Sequence, residues 1–160
     1  MDKLHVVCVN ENAEIAFKLL HDLAPLSEWL TLSQCHSADE ALEKVDNIDR
    51  QGDFLALLIS GLTQCSNHSM QLLDEIAEDS RFRHTKRVLI SSNTSKQVLI
   101  NAINVSHISR FYEPTYEAGV LLQQARILLT KYIFAKGLDY EEYQAYLDSE
   151  TILKRMRRSV

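Results

Sequence analysis

The chain has 160 residues, 46% of them hydrophobic, with only four Gly and two Pro, which is enough apolar material for one domain with a sizeable core. A net charge of −5 and a sequence pI near 5.7 argue against nucleic acid or an anionic membrane surface as the partner. The amino terminus, Met1 to His5, passes into a strand-like run without the apolar stretch of a signal peptide or membrane span, so a cytoplasmic protein is expected.

Leu4 to Val9 is a β-branched apolar run, and Glu14 to Leu23 has helical spacing through Ile15, Leu19 and Leu23 before Pro25 ends it. Trp29 to Cys35 alternates as a strand does. Ser37-Ala38-Asp39-Glu40 is a capping box opening a helix with Ala41, Leu42 and Val45 on its inner face, and Gly52 breaks the chain after it. Phe54 to Ile59 is a continuous apolar run, the pattern of a strand buried on both sheet faces, followed by a polar loop from Gly61 to Ser69. The spacing predicts a helix over Met70 to Ala77 and strands over Val88 to Ser91 and Ile108 to Tyr112. Between those strands, Thr94-Ser95-Lys96-Gln97 is a second capping box leading a helix to Val105. After Pro114 a long helical pattern runs from Tyr116 to Lys136, with Gly137 as its stop.

Five strand–helix units joined by short connections predict an α/β fold: a five-stranded parallel sheet, doubly wound, with helices on both faces. In such a sheet the carboxyl ends of the strands form the site, which places Asn10-Glu11, Ser60, Ser92 and Glu113-Pro114 there. Residues 1–136 make up this domain and 137–160 a helical C-terminal extension. In the extension, Asp139-Tyr140-Glu141-Glu142 reads as a helix start with Tyr140, Tyr143 and Leu147 on one face.

Three cysteines, Cys8, Cys35 and Cys65, lack metal spacing; Cys8 and Cys35 lie in strand-like runs and are expected to be buried thiols. The six histidines are scattered, so neither a metal nor another cofactor is expected. Lys154-Arg155 and Arg157-Arg158 form the locally basic end of the chain, read as a solvated helix terminus whose cations complement the helix dipole.

The segments Val-Asn-Glu-Asn at 9–12, Leu-Leu-Ile-Ser at 57–60, Arg-Val-Leu-Ile-Ser-Ser at 87–92 and Ile-Ser-Arg-Phe-Tyr-Glu-Pro at 108–114 resemble the receiver domain of bacterial two-component response regulators, over roughly residues 3–136. The resemblance implies the flavodoxin-like receiver architecture. It also implies an acidic pair after the first strand, a phosphoacceptor Asp after the third, a Ser or Thr after the fourth and a Lys-Pro after the fifth. This chain departs at three of the four places. Asn10-Glu11 leaves one carboxylate where the family uses two, together with the acceptor, to hold Mg²⁺, which binds through hard oxygen ligands. Ser60 stands for the acceptor and needs a base to act as a nucleophile; His68 is the nearest in sequence, in the loop that follows. Glu113 reverses the charge of the lysine that would pair with a phosphoryl group. Ser92 keeps the Ser/Thr position, and Arg110 stands where many receivers have an aromatic switch.

The expectation is therefore a pseudo-receiver with a vestigial pocket at Asn10, Glu11, Ser60, Ser92 and Glu113, no catalytic residues and no enzymatic activity. Neither G-x-G-x-x-G, P-loop nor G-x-S-x-G occurs. It would act in bacterial signal transduction or regulation by binding a signalling or regulatory protein, or a second copy of itself, without phosphorylation. The candidate interface is Arg110, Tyr112, Val120, Ile127 and Phe134, the last three recurring every seven residues along the long helix. That stripe needs a cover, from a partner or from the chain's own tail. The alternative function is a nucleotide-type ligand sensor, with Asn10 and the two serines offering hydrogen bonds in the altered pocket.

Overall fold

Five parallel strands, β1 (Leu4–Val9), β2 (Thr31–Cys35), β3 (Phe54–Ser60), β4 (Lys86–Ile90) and β5 (Arg110–Tyr112), form one sheet in the order β2-β1-β3-β4-β5. The computed structural model describes residues 1–61, 66–91, 100, 103–104 and 108–158, with 66–70 given by their backbone. Its helices are α1 (Ala13–Leu23), α2 (Ala38–Arg50), α3 (Ser66–Glu78), α4 (Ala118–Lys136) and α5 (Ser149–Arg158). Ser92 and most of the helix predicted up to Val105 lie outside the described residues.

Side chains alternate across a strand, and the core divides accordingly. Val6 and Cys8 pack with Leu19 and Leu23 of α1 and Leu121, Leu128 and Tyr132 of α4. Val7 and Val9 pack on the opposite face with Ala41, Val45 and Ile48 of α2 and Leu72, Leu73 and Ile76 of α3. The central strand β3 feeds both layers, which is why it reads as unbroken apolar sequence. Its register against β1 shifts between His5 and Val6, skipping Ala56, so Ala56 and Leu57 fall in the same layer, as at a β-bulge.

The helix ends follow from local chemistry. Asn12 caps α1 by accepting from the backbone N–H groups of Glu14 (2.9 Å) and Ile15 (3.2 Å). Ser37 Oγ accepts from Glu40 N at 3.1 Å, while the Glu40 carboxylate reaches back to His36 N at 3.0 Å, one residue before the reciprocal bond of an ideal capping box. Gly137 ends α4 at φ 80°, a left-handed conformation that glycine adopts without the Cβ clash. α3 begins at Ser66, so residues assigned by spacing to a loop, His68 among them, belong to its first turns. Polar Ser and Asn suit a helix start, and apolar periodicity does not register them.

The extension differs from expectation in form. Instead of a helix from Asp139, two short 3-10 turns (Tyr140–Glu142 and Gln144–Tyr146) lead to an extended Leu147, and α5 starts after Asp148. Asp148 takes the capping role by accepting from Thr151 N at 3.0 Å and Thr151 Oγ1 at 2.6 Å. The physical reason is insertion of Tyr143 into the core. Its hydroxyl donates to the Asp2 carbonyl at 2.7 Å and its ring lies 5.9 Å from that of Trp29, a fit that a continuous helix from Asp139 would have to give up. Tyr143, Leu147 and Ile152 all join the α1/α4 core layer. At ~1.5–3 kcal/mol for each large side chain buried, before ordering costs, these anchors hold the tail on the domain.

Candidate functional site

The carboxyl ends of the strands lie side by side as the topology requires. Asn10 N donates to the Cys35 carbonyl (3.0 Å), Gly61 N to the Val9 carbonyl (2.8 Å) and Ser91 N to the Tyr112 carbonyl (3.0 Å). Asn10, Ser60-Gly61, Ser91 and Tyr112-Glu113 are thereby ordered across the top of β1, β3, β4 and β5. Of the predicted pocket residues, Asn10 and Ser60 are buried, Glu11 is half-buried, Glu113 is exposed, and Ser92 is outside the described residues.

Asn10 is committed locally. Its Oδ1 accepts from Asn12 N at 2.8 Å, closing a turn that leads into the α1 cap. Its Nδ2 faces Gly61, where an added Cβ would sit 2.7 Å from that nitrogen and 3.2 Å from the Ile90 carbonyl. Asn10 Nδ2 and Ser60 Oγ are buried without a hydrogen-bond partner among the described residues. The described residues contain no cluster of three or more His, Cys, Asp or Glu able to hold a metal.

Beneath this end, Cys8 and Cys35 are buried free thiols on adjacent strands. Burial, with the other thiol nearby, pushes Cys8 up to about 12; burial, with Glu40 nearby, pushes Cys35 up to about 11. Thiols so disfavoured as thiolates are structural rather than reactive.

The predicted interface stripe is split by the tail. Phe134 stacks on Tyr140 with ring centroids 5.1 Å apart, and Ile127 is half-buried, so the chain's own extension covers that part. Val120, one turn into α4, remains 47% exposed. Arg110 of the edge strand β5 donates from Nε to Gln124 of α4 at 3.1 Å, and Tyr112 is half-buried against the core. Arg110, Ile127 and Phe134 come together in one groove between α4 and α5, whereas Tyr112 and Val120 do not line it. The groove's other cations, Lys86, Lys131, Lys154, Arg155 and Arg158, arrive from three elements distant in sequence. Only the run at 154–158 stood out in the sequence, and there it read as a helix terminus.

No family model and no curated protein matches this sequence. Solved structures do. The chain is similar to the signal receiver domain of an HD domain-containing protein from Pseudomonas fluorescens Pf-5, at 22% identity and a TM-score of 0.69, covering 81% of this chain and 97% of that one. It is similar to a CheY-like response regulator receiver domain protein from Methanospirillum hungatei JF-1 (15% identity, TM-score 0.68, 82% and 97% covered). A sensor protein from Polaromonas sp. JS666 matches at 20% identity and a TM-score of 0.66, with 80% and 97% covered. The fold is therefore that of receiver domains, with a helical extension at its carboxyl end. Among the described residues, no helix is long and apolar enough to cross a membrane.

Proposed function

We propose that this chain is a pseudo-receiver: a receiver scaffold that serves signal transduction or regulation by binding another protein, without a phosphorylation step and without enzymatic activity of its own. The observation that carries the reading is the donor set at the strand ends. Among the described residues directly following β1 and β3, Glu11 is the one carboxylate; Asn10 supplies an amide whose oxygen already accepts from Asn12 N; Ser60, at the end of β3, supplies a neutral buried hydroxyl. Magnesium favours oxygen ligands carrying negative charge, and these residues do not fit it. Ser60 has no described base to activate it, and Glu113 brings negative charge where a phosphoryl group would need a cation.

Among the described residues, one surface open to a partner is the β5/α4 side, where Arg110 and Tyr112 are half-buried and Val120 is exposed. Affinity capture of the tagged intact chain from its native cytosol, with mass spectrometry, tests this. A specific protein retained by the wild type and by Ser60→Ala, but lost by a folded Val120→Asp variant, is the expected result. Ser60→Ala removes an unpartnered hydroxyl and should change partner affinity by less than about twofold, or ~0.4 kcal/mol. Recovery of this chain alone would contradict a separate partner.

One observation favours a second reading. The unpartnered Asn10 Nδ2 and Ser60 Oγ are buried donors at the strand ends, and a nucleotide-type ligand reaching them would satisfy both. Equilibrium dialysis against a nucleotide panel discriminates the two, and uniform absence of binding removes the ligand.

A further inference from the structure

The groove between α4 and α5 concentrates positive charge on an acidic protein. Six of the chain's 17 Lys and Arg line it, Lys86, Arg110, Lys131, Lys154, Arg155 and Arg158, against two of its 22 Asp and Glu. Those two acids are already engaged. Asp148 accepts from Thr151 and from Gln123 (3.0 Å), and Glu150 pairs with Lys154 at 3.4 Å. Neither neutralises the cations at the β4–β5 wall. Burial first, and then the neighbouring charges of Lys131, Arg87 and Arg110, hold the Lys86 ammonium below its ordinary pKa.

The groove has a volume of about 540 Å³, and the partly covered Ile127 and Phe134 line it together with Ala135. Its shape selects among anions. On α4 the lining runs from Gln124 to Ala135 and on α5 from Glu150 to Arg158, or roughly 16 Å and 12 Å at ~1.5 Å per helical residue. The cations come from four elements, Lys86 of β4, Arg110 of β5, Lys131 of α4 and Lys154, Arg155 and Arg158 along α5, which is more positive charge than a single phosphate would balance. Carboxylates strung along an extended chain at ~3.3 Å per residue match that distribution over about four to six residues. Apolar lining beside basic side chains also suits a peptide, whose backbone and methylenes lie between its charges.

We propose that the α4/α5 groove binds a short Asp/Glu-rich segment of a partner protein. This rests on the reading of the chain as a protein-interaction module and supplies the chemistry of the partner. The extension supplies one wall, so the tail is a recognition element as well as a cover for the helix behind it.

The test is fluorescence anisotropy of a labelled hexaglutamate peptide with the intact chain at low salt. Hexaglutamine and a short oligothymidylate of equal charge serve as comparisons. The expected result is that hexaglutamate binds, hexaglutamine does not, and affinity falls as salt is raised. Lys131→Glu/Arg158→Glu, at two exposed sites, should weaken binding at least tenfold and Lys86→Gln at least threefold, whereas Arg50→Glu on α2 should stay within twofold. Absence of low-salt binding, equal binding by the charge-reversed variant, or tighter binding of oligothymidylate would overturn the proposal. A partner captured equally by wild type and Lys131→Glu/Arg158→Glu would overturn the groove assignment while leaving the interaction reading intact. Hexaglutamate binding with no partner captured would count against that reading and for the groove chemistry.

Discussion

Replacing Tyr143 with Ala should destabilise the whole domain, although the residue lies in the extension and far from any strand in sequence. Tyr143 is 1% exposed, packs its ring against Trp29 and donates to the Asp2 carbonyl, thereby tying the tail to the amino terminus. Loss of a large buried aromatic costs about 3–5 kcal/mol once the residual cavity is included. Tyr143→Phe keeps the ring and loses one hydrogen bond, for about 0.5–1.5 kcal/mol. The difference between the variants separates packing from the hydroxyl. For a chain of this size the Ala variant should lower Tm by roughly 6–20 °C, at ~2–4 °C per kcal/mol. Urea unfolding followed by tryptophan fluorescence is the direct assay, because Trp29 is the chain's one tryptophan and touches both Tyr143 and Tyr146. Far-UV circular dichroism recorded on the same samples reports the sheet and helices. The two transitions should coincide and move together. If Tyr143→Ala shifted stability by less than about 0.5 kcal/mol, or moved only the fluorescence transition, the tail would be an ornament on an independent domain and the reasoning would fail.

Gly61→Ala should cost about 1–3 kcal/mol through overpacking, since the new Cβ would meet Asn10 Nδ2 at 2.7 Å; unchanged urea stability would show that the Asn10 amide can move aside. Asp148→Ala should cost about 1 kcal/mol by uncapping α5. Hydrogen bonds from Thr151 hold the Asp148 carboxyl below its ordinary value, so its contribution is present above pH 4 and is lost as pH falls through the lowered folded value. Wild type and Asp148→Ala should therefore converge in stability toward acid, and a constant gap would contradict the assignment. Cys8 and Cys35 should resist alkylation in the native state at pH 8, as peptide mapping would show. Their raised values mean that the associated stability is intact below about pH 9 and declines as pH rises toward 11 and 12. Rapid native-state modification of Cys8 would contradict its burial.

The sheet was legible because its signals are local. Unbroken apolar runs such as Phe54 to Ile59 mark strands covered on both faces, and Ser37 and Gly137 mark helix ends by chemistry that acts within a few residues. The described strand-end residues could be placed for the same reason, since Asn10 and Glu113 directly follow β1 and β5 and Ser60 ends β3. The extension was less legible because Tyr143 answers to Trp29 and Asp2, contacts that no periodicity encodes, and they break a helix that the capping signal at Asp139 favoured. The split of the Val120, Ile127 and Phe134 stripe follows from that docking. The basic groove was invisible for a similar reason: Lys86 and Lys131 carry no signal of their own, Arg110 read only as part of the candidate interface, and the three share a groove only with α5 beside α4. The cations at 154–158 were visible, but what they face was not.

Phosphorylation independence has a direct assay. The intact chain would be incubated with Mg²⁺ and acetyl phosphate, its mass measured, and its affinity for the captured partner determined by calorimetry before and after. The account predicts no added phosphoryl mass and an affinity within twofold, because among the described residues Asn10 stands beside Glu11 in place of a second carboxylate and Ser60 Oγ is a buried hydroxyl without a hydrogen-bond partner. A phosphoryl adduct that vanishes in Ser60→Ala and shifts partner affinity would contradict it.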